Sequence, residues 1–187
     1  NMSLYSTLLT MELEELLDTI EMFPVSKKDK ALKIMNNVMK NMLSEYCESS
    51  EYFDSVKVSG QNTMAHGYYG LTIEDKEDAE HVIVMDKSLL DFVNDYNKPM
   101  LDEYGEEQTK LETGINTYLH ENRHAKQLRE NMPMCTVEYN DNNYFMHPME
   151  VDARTYAERY MHEAMEYITE NIEDRVIPQF MSLLGMQ

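Results

Sequence analysis

An α+β fold is what this sequence predicts, and three observations predict it. Helical periodicity runs through residues 5–48, short β-rich runs follow, and helical periodicity returns from about residue 106. Over 5–22, Leu8, Leu9, Met11, Leu13, Leu16, Leu17 and Ile20 recur at helical steps with acids between them. Pro24 interrupts. Ser26 with Asp29 three residues on is a weak capping-box signal for a second helix near 26–48, carrying Leu32, Ile34, Met35, Val38, Met39 and Met42. Together these predict an N-terminal helical hairpin.

The middle changes character. Residues 52–59 (YFDSVKVS) alternate, and 66–73 (HGYYGLTI) and 81–85 (HVIVM) are rich in aromatic and β-branched residues between Gly, Asn or Asp clusters. They predict a small mixed sheet of about three strands. A short helix is expected over 87–97, with Leu89, Leu90, Phe92 and Val93, closed by Pro99. From 106, Leu111, Ile115, Tyr118, Leu119, Ala125 and Leu128 mark a long helix. The polar stretch 131–147 reads as a loop, and Pro148 suits the first turn of a last helix, 148–170. Pro178 should end or kink whatever follows. We read residues 1–187 as one domain, 1–48 helical and 52–187 holding the sheet and the later helices.

The chain has 187 residues, 16 basic and 35 acidic, for a net charge of −19. Such a surface repels phosphate backbones and anionic lipid, so neither nucleic acid nor membrane is an expected partner. No apolar run reaches the length of a membrane span, and the first residues lack a basic leader, so a cytoplasmic location is expected. Cys47 and Cys135 form no CxxC pair and suit free thiols in a reducing compartment. The 17 methionines suit a Met-rich core. Oligomeric state is not legible.

The chemistry concentrates in His120-Glu121-Asn122-Arg123-His124. On a helix, positions i and i+4 share a face with Cβ atoms about 5–6 Å apart, so two imidazoles can grip one zinc ion. Glu121 sits one residue round and suits a general base for water activated by the metal. The competing reading is an exposed polar helix face whose histidines do nothing. A third ligand is expected from His147-Pro148-Met149-Glu150-Val151-Asp152. Glu150, 26 residues after His124, can point back from the first turn of the last helix; Asp152 and His147 are the alternatives. Two histidines and one carboxylate leave a coordination position open, as catalytic rather than structural zinc requires. The carboxylate that is not a ligand would orient a ligand histidine.

HENRHAKQ followed by PMEVDARTYA resembles the zincin metallopeptidases, most nearly their gluzincin branch and small HExxH proteins of bacteria and phages. The likeness covers about residues 66–170. It implies a zincin-like fold with one zinc per chain on His120, His124 and Glu150. Glu121 would be the base, and a peptide or protein the substrate. The preceding strands, with HVIVM nearest, resemble the sheet whose edge strand lines the substrate cleft in that superfamily. Many gluzincins carry an acid four residues beyond the ligand glutamate; here Arg154 stands there. Such sites use a Tyr or His to stabilise the oxyanion, for which Tyr144 leads, with Tyr139, His147 and Tyr156 behind it. His66, His81 and His162 read as structural or solvated. The expectation is a zinc-dependent peptidase. The alternative is a non-catalytic metal-bearing protein, regulatory or virion-associated, with a vestigial site.

Overall fold

In a computed structural model the chain is described over residues 4–49, 57–75, 80–140 and 142–186. Helices α1 (Leu4–Glu21) and α2 (Val25–Ser49) form the N-terminal hairpin. The strands β1 (Lys57–Gln61), β2 (Gly70–Asp75) and β3 (Glu80–Asp86) follow. Then come β4 (Pro99–Leu101), β5 (Glu107–Thr109), α3 (Lys110–Arg129) and α4 (Pro148–Leu183). The architecture is α+β, with a small three-stranded mixed sheet ordered β1-β3-β2 and a separate β4–β5 hairpin.

Helix α2 forms because its apolar residues repeat on one face. Ala31, Met35, Val38, Met39, Met42 and Leu43 are buried, and the lysines between them reach water. Full burial of a side chain of this size stabilises by roughly 1.5–3 kcal/mol. These residues join one cluster with Ile83 and Met85 of β3, Ile115 and Leu119 of α3, and Ile168, Ile172 and Val176 of α4. Helix α4 runs against α1, α2 and α3 and so ties the molecule together.

In the sheet, β3 is central: parallel to β1, with Lys57 opposite Val82, and antiparallel to β2, with Gly70 opposite Met85. Of the run expected over 52–59, residues 52–56 lie outside the described residues. The run 66–73 becomes strand only from Gly70, because Thr63–His66 forms a 3-10 turn closed by Gly67 at φ 86°.

Other boundaries also differ from expectation. Residues 87–97 form turns, not a helix. The Asp91 carboxylate accepts from the backbone N–H of Val93 (3.2 Å) and Asn94 (3.0 Å), and Asn36 Oδ1 takes that of Phe92 (2.8 Å). Side chains thus satisfy the donors that a helix would have used. The long helix begins at Lys110 rather than 106, since Glu107–Thr109 pairs with Pro99–Leu101. Helix α4 passes through Pro178 to Leu183 instead of ending there. Val176 and Phe180 anchor it on either side, Phe180 packing edge-on against Phe23 with ring centroids 5.1 Å apart. Cys47 is buried and Cys135 partly buried, and both thiols are free. Among the described residues, no helix is long and apolar enough to cross a membrane.

Candidate metal centre

Helix α3 starts at a capping box. Thr109 Oγ1 accepts from the Glu112 N–H at 3.1 Å, and Glu112 Oε1 accepts from the Thr109 N–H at 3.1 Å. The helix is pressed against its surroundings on several sides. At Gly114 an added Cβ would stand 2.8 Å from the Leu89 carbonyl, so the 87–97 segment needs glycine there. At Gly70, on β2, an added Cβ would meet Thr117 at 2.8 Å and Glu121 Cγ at 3.1 Å. This close sheet–helix contact lets Thr72 reach Glu121, its Oγ1 lying 3.0 Å from the Glu121 carbonyl and 3.1 Å from Oε1.

The HENRH face is therefore not an exposed polar surface: His120, Glu121 and His124 are 6, 6 and 7% exposed. Glu150, 3% exposed, enters from the first turn of α4, where the helix dipole favours a carboxylate. Its Oε1 lies 3.3 Å from His120 Nε2, and its Oε2 lies 2.9 Å from His124 Nε2. These three residues are a buried group that could hold a metal ion, each offering a ligand atom within 4.8 Å of the others.

The surroundings fix the donors. Gln127 Oε1 accepts from His124 Nδ1–H at 2.8 Å, while its amide donates to the Met149 carbonyl (3.0 Å) and Asp152 Oδ2 (2.7 Å). With the proton on Nδ1, the Nε2 lone pair of His124 is left for a cation. Asp152 is engaged further by Arg123, whose Nε donates to Oδ2 at 2.8 Å. The Tyr139 hydroxyl donates to Glu150 Oε2 at 2.8 Å. Glu103, from the β4–β5 turn, has Oε1 3.9 Å from His120 Nδ1 and Oε2 3.5 Å from Arg154 Nε.

Without a cation the group is held by charge. Burial alone would raise the Glu150 carboxyl, but hydrogen bonds from His120, His124 and Tyr139 hold it well below the usual carboxylate range. Burial alone would lower His124, but Glu150 and the nearby Glu121 charge outweigh it, so His124 keeps its proton above the usual imidazole range. A cation would replace these protons. The donor chemistry, two imidazole nitrogens and one carboxylate oxygen, fits zinc and similar divalent ions.

The alternatives for third ligand lie elsewhere. Asp152 faces Arg123 and Gln127. His147 is fully buried as the N-cap of α4: its Nδ1 accepts from the Met149 N–H at 3.1 Å, and Nε2–H donates to the Val137 carbonyl at 2.8 Å. Of the tyrosines considered, Tyr144 lines the cleft beside His120 and Glu121. Burial and the charges of Glu150 and Glu121 push its phenol up, favouring the protonated, donating form. Tyr156 lies under the Arg123 guanidinium, 3.8 Å from its ring centroid.

The HVIVM strand, β3, is central, β1 and β2 are the edge strands, and Tyr69 and Gly70 at the start of β2 stand on the cleft wall. Thr72 and Glu103 escaped sequence reading because nothing local marks a contact across 49 residues or the hairpin that carries Glu103. Gln127 did carry a signal, standing one helical turn beyond His124. Compared with known proteins, the chain matches no family model, no curated protein and no solved structure.

Proposed function

We propose that this protein is a zinc-dependent peptidase, with His120, His124 and Glu150 as zinc ligands and Glu121 as general base. One observation carries the reading: the buried His-His-Glu group stands at a cleft whose wall includes both His120 and Glu121. A purely structural zinc site would be closed by a fourth protein ligand, and the group found among the described residues has three. When bound, zinc supplies Lewis acidity, acidifying water and polarising a carbonyl.

The chain's own residues do the rest. Glu121 takes the proton from the attacking water and passes it to the departing amine nitrogen. Thr72 steadies Glu121, and Gln127 and Tyr139 hold His124 and Glu150. The Tyr144 phenol, on the cleft wall and hydrogen-bonded to Glu150, would turn to donate to developing negative charge on the substrate oxygen. An extended chain fits the site because β2 is a sheet edge and its Gly70 end lies in the cleft.

Metal content by mass spectrometry on wild type, His120→Ala and Glu121→Gln tests the reading. We expect about one zinc per chain in wild type and Glu121→Gln and none in His120→Ala, with Glu121→Gln slowing peptide hydrolysis on the order of 10²–10⁴-fold. Metal-free wild type after reconstitution would sink the proposal. Bound zinc with no cleavage of any peptide pool would favour a non-catalytic metal protein.

A further inference from the structure

We infer that the cleft selects peptides in which a bulky apolar side chain stands beside a lysine or arginine; this rests on the peptidase reading and names its substrate class. The cleft has a volume of about 600 Å³, enough for several side chains of a bound ligand. Its wall gathers large apolar side chains that the core leaves to solvent: Met64, Tyr68, Leu101 and Tyr104 are 41, 51, 58 and 57% exposed. They come from separate segments and meet at one cleft. The Tyr69 hydroxyl donates to the Leu101 carbonyl at 2.8 Å, tying the β2 side of the wall to the β4–β5 hairpin. Exposed apolar area concentrated in this way marks a surface that awaits an apolar partner.

Charge supplies the second half. The wall carries Asp102, Glu103, Glu121 and Glu158 against the one guanidinium among its described residues, Arg154. Arg154 is already engaged, by Glu103 at 3.5 Å and by the Phe145 ring, whose centroid lies 3.9 Å away. Along α4, Glu150, Arg154 and Glu158 recur at four-residue steps, so one helix face leads from the metal group to the Glu158 carboxylate. A cationic side chain lying next to an apolar one would meet Glu158 and Asp102 around Tyr104, whereas an acidic one would be repelled. The net charge of −19 extends that preference to the approach of the substrate.

Fluorescent peptides of one scaffold, with a Phe–Arg, Phe–Glu or Ala–Arg pair at the centre, are titrated by anisotropy into metal-free Glu121→Gln protein. We expect Phe–Arg to bind about tenfold more tightly than either other peptide, and the advantage over Phe–Glu to shrink as salt rises. Glu158→Lys should bring Phe–Glu level with Phe–Arg or ahead of it. Metal-free wild type, titrated alongside, gives the same ranking should Glu121→Gln fail to fold. Equal binding of all three peptides, or tighter binding of Phe–Glu, overturns the inference. A mixed peptide library with zinc-loaded wild type separates the two readings. Cleavage without preference for apolar–basic pairs overturns this inference and leaves the peptidase standing. No cleavage, with the binding ranking intact, overturns the peptidase and keeps the cleft as a selective peptide groove.

Discussion

Helices α2 and α3 are both deeply packed, yet α3 buries, beside its apolar residues, a second and polar kind that α2 lacks. The buried face of α2 is Ala31, Met35, Val38, Met39, Met42, Leu43, Tyr46 and Cys47, so burial itself supplies its stability. Helix α3 hides Thr117, His120, Glu121, Asn122, Arg123, His124 and Gln127, each of which loses water on folding and must find a partner. Most do so through the group around Glu150. The Asn122 side chain does not: its Oδ1 and Nδ2 are buried with no hydrogen-bond partner among the described residues. Burying such residues costs stability that folding alone does not explain, as the proposed metal site would, whereas α2 can be explained by folding alone.

That contrast can be broken at its strong end. Met39→Ala in α2 should cost about 2–5 kcal/mol by denaturant unfolding while the folded variant still binds zinc one to one. Loss of zinc binding from a folded variant would show that the two helices are not separable. Next in size, Gln127→Met in α3 should weaken zinc affinity about 10–100-fold, read by competition with a chelator, because His124 loses the partner that sets its tautomer. Unchanged affinity would remove Gln127 from the site. A smaller change of opposite sign is expected at Asn122→Leu, which removes two unpaired polar atoms and should stabilise the chain by about 1 kcal/mol. Destabilisation would mean that the amide has a role of its own. Least in energy but sharpest in readout is thiol labelling at neutral pH. Burial pushes the Cys47 thiol up to about 12, so Cys135 should be alkylated while Cys47 reacts only on unfolding.

What could be read in advance follows the same divide. Periodicity revealed α1 and α2, the body of α3 and the start of α4, because an apolar stripe is a local pattern. Spacing also marked His120 and His124 as neighbours on one face, and Pro148 marked the turn that presents Glu150. The failures lie where side chains, not periodicity, decide the backbone. Asp91 and Asn36 dismantle the helix expected at 87–97 by taking its amide hydrogens. The β4–β5 hairpin, three residues a strand, is too short to alternate, yet it frames the turn that carries Glu103. Pro178, a residue expected to end or kink the chain, does not end α4, where burial of Val176 and Phe180 offsets one missing hydrogen bond. The apolar residues of HVIVM put it in the middle of the sheet, which leaves β2 as the strand whose end reaches the cleft.

The spacing of the ligand candidates has a mechanical consequence. His124 and Glu150 bracket a long surface loop, and an ion joining them would act as a reversible clasp across it. A nick in the polar stretch near Asn140 would then leave both pieces fastened through their own cation. Taking the cation away would loosen that fastening and leave the grip between α3 and α4 to packing, hydrogen bonds and ion pairs such as Arg123–Asp152.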